Sequence, residues 1–169
     1  GTSRFSAVWT GDNVSNYFYL KTSIPTSINL SLSGIPFNGP DVGGFGADTN
    51  EKLIVDWMKA GFLFPFMRNH TSIWTKHQEP WAFSDHATKI MGKFIRLRYK
   101  LQPYLYGLYC DQAESGDPIL RPLCYEFDDR RFEKTADQFM VGPAVLQAPL
   151  VSPSRSRSLV LPQGDWLDA

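Results

Sequence analysis

The sequence predicts an α/β protein built on a parallel sheet, doubly wound or barrel, with a short all-β segment behind it. Two observations predict this. Through residue 116, three short β-type runs are each followed by a longer segment with helical spacing of apolar residues. After Gly116-Asp117-Pro118 the helical spacing stops, and short β-type runs alternate with turns.

The first β-type run is Phe5 to Trp9, ended by the turn formers Gly11-Asp12-Asn13. Tyr17 to Leu32 mixes apolar and hydroxyl side chains at roughly helical spacing and reads as an irregular helix interrupted by Pro25. A second short segment, Gly34 to Phe37, runs into the loop Asn38 to Gly46. In the next helix Asp48 is the expected cap, with Glu51 three residues on. Leu53, Ile54, Trp57 and Met58 form its apolar stripe and Gly61 its stop. Phe62 to Phe66 reads as a short buried strand, ending at Met67-Arg68-Asn69-His70. From Ser84 towards Gly116 a long helical pattern carries Ile90, Met91, Phe94, Ile95, Leu97 and Leu101 on one side, and Pro103 is expected to kink or divide it. The later β-type runs are Ile119 to Leu123, Phe139 to Val141, Ala144 to Val151 and Leu159 to Leu161, with Ser152 to Ser158 an exposed loop.

Composition narrows the function. Of 169 residues, 43% are hydrophobic and 20% charged, a balance that suits a packed core. Seventeen basic and seventeen acidic residues cancel, leaving no electrostatic footprint for nucleic acid or an anionic membrane surface. No apolar run reaches the roughly 18 residues of a membrane span. Cys110 and Cys124 make neither a disulfide framework nor a metal-ligand cluster, and read as two reduced, mostly buried thiols. Aromatic residues reach 14%, with five Trp, which fits either a dense core or a sugar site. Sequons stand at Asn13, Asn29 and Asn69. The opening residues carry no signal-peptide core, which points to the cytoplasm, although both chain ends read as cuts.

Polar side chains mark all three strand-to-loop junctions: Asp12, Asp41, and Arg68 with His70. Loops of that kind carry the functional groups of a TIM barrel. Taken singly, Asp12 and Asp41 suit turn residues and His70 a structural loop histidine. Their order along the chain says more.

The segments Trp9-Thr10-Gly11-Asp12-Asn13, Gly39 to Phe45 and Phe64 to His70 resemble glycoside hydrolase family 31. Glu79-Pro80-Trp81, Leu101 to Tyr104, Pro118 to Leu123, Gln138 to Gly142 and Val160 to Trp166 follow in the family's order. The resemblance implies that residues 1–116 are the last three β/α units of a (β/α)8 barrel. Residues 117–169 would then be the first strands of an all-β sandwich domain. It implies a retaining hydrolase of α-glucosides working by double displacement, with Asp12 as general acid/base. Asp41 and His70 then match positions that hydrogen-bond sugar hydroxyls. Trp9 and Phe45 match walls of the first subsite, and Arg68 braces the site by pairing with a local acidic group. No cofactor or metal is implied.

The family's nucleophile motif, Trp-x-Asp-x-Asn-like, does not occur at a strand end in this sequence. The expected partner is therefore the remainder of the same enzyme, as the other piece of a nicked chain or as part of a larger molecule. An isolated fragment would leave sheet edges open. An α-glucosyltransferase or α-xylosidase of the same family is the alternative, and a non-catalytic subunit is the rival from another class.

Overall fold

The computed structural model describes residues 5–168. The first part alternates short strands with long helices: β1 (Val8–Trp9), α1 (Tyr17–Leu32), β2 (Asn38–Gly39), β3 (Asp41–Val42), α2 (Glu51–Gly61), β4 (Arg68–Asn69) and α3 (Asp85–Ser115). Strands β1 and β2 pair in parallel, Val8 opposite Asn38. Strands β3 and β4 also pair in parallel, Asp41 opposite Arg68. Only Pro40, which has no N–H to donate, separates β2 from β3, so the four form one narrow strip.

Each of these three helices starts on a polar side chain. Asn16 Oδ1 accepts from Tyr19 N (3.0 Å), Asn50 Oδ1 from Leu53 N (3.0 Å) and Ser84 Oγ from Ala87 N (3.2 Å). Asp48 is not the cap of α2, because it lies two residues upstream of Asn50 and out of reach of the first turn. It accepts from Lys76 N at 2.8 Å instead. Glu51 accepts from Ser84 N (3.1 Å) and Ser84 Oγ (2.9 Å), tying the start of α2 to that of α3.

Neither internal proline divides its helix: α1 runs through Pro25 and α3 through Pro103. The carbonyls that lose a partner belong to Lys21 and Tyr99, four residues earlier. Both residues lie on exposed faces, where an unpaired carbonyl costs little because water can reach it. In α1 the hydroxyls of Ser23 and Thr26 also donate to the carbonyls of Tyr19 (2.6 Å) and Thr22 (2.8 Å).

Two expected strands lie elsewhere. Gly34 to Phe37 forms no strand, although Phe37 O accepts from Val8 N at 2.9 Å, and the paired strand begins at Asn38. Phe62 to Phe66 is a chain of tight turns, with Phe62 N donating to Met58 O (3.1 Å) and Phe64 N to Gly61 O (3.0 Å). Its apolar residues are buried because they plug the core, a pattern that short apolar runs share with strands. The Arg98 guanidinium, from α3, donates to the carbonyls of Phe62 (2.7 Å), Phe64 (2.8 Å) and Pro65 (3.0 Å). Burial lowers the pKa of Arg98 from its ordinary value.

The remaining elements are β5 (Leu120–Pro122), α4 (Leu123–Glu126), β6 (Phe139–Val141) and β7 (Val145–Gln147). The three strands form an antiparallel sheet in chain order. Helix α4 was not legible in the sequence, and Leu159 to Leu161 forms no strand and is exposed. Both thiols are free and exposed rather than buried, Cys110 on the outer side of α3 and Cys124 on α4.

Two apolar clusters fix the strip. One joins Leu20 of α1, Val42 of β3, Leu53, Ile54, Trp57 and Met58 of α2, and Ala87 and Met91 of α3. The other joins Ile24 and Ile28 of α1, Phe62 to Phe64, Leu105 and Leu108 of α3, and Leu120, Phe139 and Val141 of the antiparallel sheet. The turn 62–65 therefore stands between two cores with its carbonyls turned towards one cation. Replacing that cation by Arg98→Met, which keeps the apolar stem, is expected to lower stability by on the order of 2–3 kcal/mol in urea unfolding. A change within a few tenths of a kcal/mol would mean that water satisfies those carbonyls equally well.

Candidate active site

All three junction loops leave the same end of the strip, because parallel strands present their C-terminal ends together. Asp41, on β3, is fully buried (0% exposed). Its Oδ1 accepts from Arg68 Nε of β4 at 2.5 Å. The register that sets Asp41 opposite Arg68 makes this possible. Oδ2 of Asp41 is buried and has no hydrogen-bond partner among the described residues. The Arg68 guanidinium lies over the ring of Trp9 at 5.5 Å and over that of Phe66 at 5.7 Å. Trp9, 47% exposed, so presents its other face outward.

After β3 the chain reverses through Gly43 and Gly44, whose φ angles are +96° and +92°. Only glycine takes that conformation without strain, and at Gly43 space also demands it: a Cβ would stand 1.9 Å from Gln78 Oε1 and 2.4 Å from Ile54 Cδ1. The reversal delivers Phe45 beside His70, their ring centroids 5.4 Å apart and their planes tilted by 31°. The Phe45 carbonyl accepts from Ser72 N (2.9 Å) and Thr71 Oγ1 (3.2 Å), which locks this turn to the loop after β4.

Sequence reasoning named Trp9, Asp41, Phe45, Arg68 and His70, and the structure connects them as two groups: Arg68 against both Trp9 and Asp41, and Phe45 against His70. Arg68 pairs with an acidic group as expected, and that group is Asp41 itself. Asp12 stands apart. It is exposed, and it borders a cavity of about 260 Å³ with Thr10, Phe18, Tyr19, Thr22 and Thr26.

Two residues that hold the site were missed. Asn13, read as a turn former and a sequon, is 5% exposed. Its Nδ2 donates to Asp41 O at 3.1 Å and its Oδ1 accepts from Phe45 N at 2.9 Å, so the sequon side chain is closed off in the fold. Gln78 Nε2 donates to Gly44 O at 2.8 Å, and the Gln78 backbone carbonyl accepts from Asn69 Nδ2 at 2.7 Å. A polar amide in a stretch without apolar periodicity gives no sign of burial, which is why Gln78 was invisible. Among the described residues no group of three or more His, Cys, Asp or Glu converges as a metal site.

Residues 1–108 match the TIM-barrel domain of glycosyl hydrolases family 31, and residues 116–169 match that family's C-terminal domain. The chain belongs to glycosyl hydrolase family 31. Alpha-glucosidase 2 of Bacillus thermoamyloliquefaciens is 46% identical over 99% of the chain and 22% of its own length. Neutral alpha-glucosidase C of Mus musculus is 42% identical over 100% of the chain and 19% of its own length. The chain thus spans about a fifth of these relatives (22% and 19%). Among solved structures, a glucosidase II alpha subunit superposes with a TM-score of 0.88 at 34% identity, over 92% of the chain and 17% of that protein. A family 31 alpha-xylosidase from a soil metagenome, complexed with xylose, superposes with a TM-score of 0.86 at 29% identity, over 93% of the chain and 27% of that protein. The barrel-domain match includes the three junction loops, from Trp9 to His70.

Because Asp41 is buried against a single cation, Arg68→Met strands a charge in the interior. The variant is expected to lose about 3–5 kcal/mol, and the double variant with Asp41→Asn to regain part of that loss, in urea or thermal unfolding. A single variant as stable as the parent would show that Asp41 does not depend on Arg68.

Proposed function

We propose that this chain is the part of a retaining α-glucosidase that carries the general acid/base, Asp12, and the sugar-orienting groups of the first subsite. In this reading residues 1–116 are the last three β/α units of the (β/α)8 barrel and residues 117–169 begin the all-β domain behind it. The nucleophile, and the remainder of the barrel, come from the rest of the enzyme. The observation that carries the reading is the uncommitted Asp41 Oδ2. It is a buried acceptor on a carboxylate already anchored through its other oxygen, close in the chain to aromatic rings that suit a pyranose.

The chemistry divides between two carboxylates about 5–5.5 Å apart in retaining enzymes. The nucleophile bonds to the anomeric carbon while the Asp12 proton passes to the departing glycosidic oxygen. Water then enters, gives its proton back to Asp12 and releases the sugar with its configuration kept. Asp41, through Oδ2, accepts from a sugar hydroxyl. His70 fixes a second hydroxyl, and Trp9 and Phe45 flank the ring. A hydroxyl acceptor that cannot turn selects one ring orientation, because the Arg68 bond fixes the carboxylate plane.

An alpha-glucosidase relative and an alpha-xylosidase neighbour are both similar to this chain, so activity decides the sugar. In the full-length enzyme Asp12→Asn is expected to reduce turnover of an α-linked glucose disaccharide by about 10²–10⁴-fold with the fold intact, and the parent to release α-glucose first, read by NMR. Undiminished turnover in the variant, or β-glucose as the first product, overturns the proposal.

A further inference from the structure

The Asp12 carboxylate makes no hydrogen bond or ion pair among the described residues. Among these residues its place is set by the backbone on either side. Before it, Gly11 takes φ +86°, a left-handed turn that lifts the chain off β1. After it, Asn13 is gripped by the turn that follows β3. The backbone carbonyl of Asn13 accepts from Phe45 N (3.0 Å) and Gly46 N (2.9 Å). Its side chain accepts from Phe45 N (2.9 Å) and donates to the Asp41 carbonyl (3.1 Å).

Those four bonds run to the residues that hold the subsite. Asp41 supplies the free carboxylate oxygen and Phe45 stacks near His70, so Asn13 measures the Asp12 loop directly against the place where the sugar sits. The other bonds between the two loops lie farther from Asp12: Ser15 N donates to Gly46 O at 2.8 Å and Ser15 Oγ to Ala47 O at 3.0 Å.

We propose that Asn13 is a positioning residue for the proton-transfer step, acting through Asp12 and touching no reacting atom. This rests on the reading of Asp12 as general acid/base. The geometry of the step explains the need. Proton transfer requires the carboxyl oxygen within hydrogen-bond reach of the glycosidic oxygen, and a displacement of about 1 Å can lower the rate about 10²-fold. An amide donates and accepts through two separate atoms on one rigid plane, here Nδ2 to Asp41 O and Oδ1 from Phe45 N, and so fixes the loop in two directions, whereas a methyl fixes it in none.

The test compares two substrates in the full-length enzyme. An α-linked glucose disaccharide loses a sugar alkoxide and needs the Asp12 proton as the C1–O bond breaks. A nitrophenyl α-glucoside loses a stabilised phenolate and hardly needs it. For both, kcat/KM reports the first bond cleavage. Asp12→Ala is the reference and is expected to lose far more on the disaccharide than on the aryl glucoside. Asn13→Ala is expected to show the same selectivity, losing about tenfold or more on the disaccharide beyond its loss on the aryl glucoside. A reduced folded fraction lowers both values equally and leaves their ratio unchanged, so a purely structural role for Asn13 does not move the readout. Asn13→Ser, which is smaller and keeps a hydroxyl, carries the same comparison if the alanine variant does not accumulate. A selective Asp12→Ala with a uniform loss in the Asn13 variants overturns the positioning role and leaves the acid/base reading standing. Equal losses on both substrates in Asp12→Ala overturn both.

Discussion

A carboxylate removed from water costs several kcal/mol unless a cation and hydrogen bonds replace its hydration, and Asp41 is fully buried. Its ion pair with Arg68 is the constraint around which the site is arranged. The pair needs β3 and β4 side by side, parallel and in the one register that sets residue 41 opposite 68. A slip of one residue would turn Asp41 to the other face of the strip and leave its charge unpaired. Arg68 in turn needs a surface to lie on, and the rings of Trp9 and Phe66 supply it, reaching across to β1. One buried charge therefore ties together three parts of the chain that are far apart in sequence.

The strands themselves do not enforce this register. β1 to β4 are two residues each, and a backbone hydrogen bond contributes only about 1 kcal/mol net. Burying a side chain the size of Leu or Phe contributes about 1.5–3 kcal/mol. Trp57, Leu63, Phe64, Ile54 and Leu20 are all shut off from solvent beneath the strip. Packing of the helices and of the turn 62–65 therefore sets the strands in place, and Arg98 makes that turn tolerable by satisfying three carbonyls at once. The pattern is one of rigid support on one side and loops pinned by a few side-chain amides on the other.

That division also explains how much was legible in the sequence. Helices α1, α2 and α3 were readable because apolar spacing acts locally, and the bounds of α1 came out as Tyr17–Leu32, although its proline does not divide it. Strand positions were legible in part: β6 matches the expected Phe139 to Val141 and β1, β5 and β7 fall inside expected runs, but β2 to β4 do not. Phe62 to Phe66 looks extended by composition, yet it is buried in turns, while the pairing residues Asn38 and Arg68 are polar and carry no β signature. The cap at Asn50 rather than Asp48 turned on a difference of two residues, which pattern alone does not resolve. In the site, Asp41, Arg68 and His70 stood out as polar groups at junctions. Asn13 and Gln78 did not, because their work is to satisfy backbone groups of a distant turn, and such partners are unknowable until the fold brings residues 13 and 45, or 44 and 78, together.

The two aspartates differ in what they are bound to, and that difference matches their proposed tasks. Orienting a hydroxyl calls for an acceptor that does not move, and Asp41 has one oxygen committed to Arg68 and the other uncommitted. An acid/base must instead change partners within a cycle, first the leaving oxygen and then water. A strong fixed partner on that carboxylate would compete with each of them in turn. Asp12, without a side-chain partner among the described residues, avoids the competition within this part of the enzyme, where no bond of its own carboxyl group holds it in register with the proposed sugar position. The fold resolves this by moving the anchor one residue along the chain. Asn13 takes the fixed hydrogen bonds that Asp12 must forgo, and it takes them from the same turn that presents Asp41 and Phe45. Freedom at the carboxylate and precision in its placement then coexist because adjacent residues carry them separately.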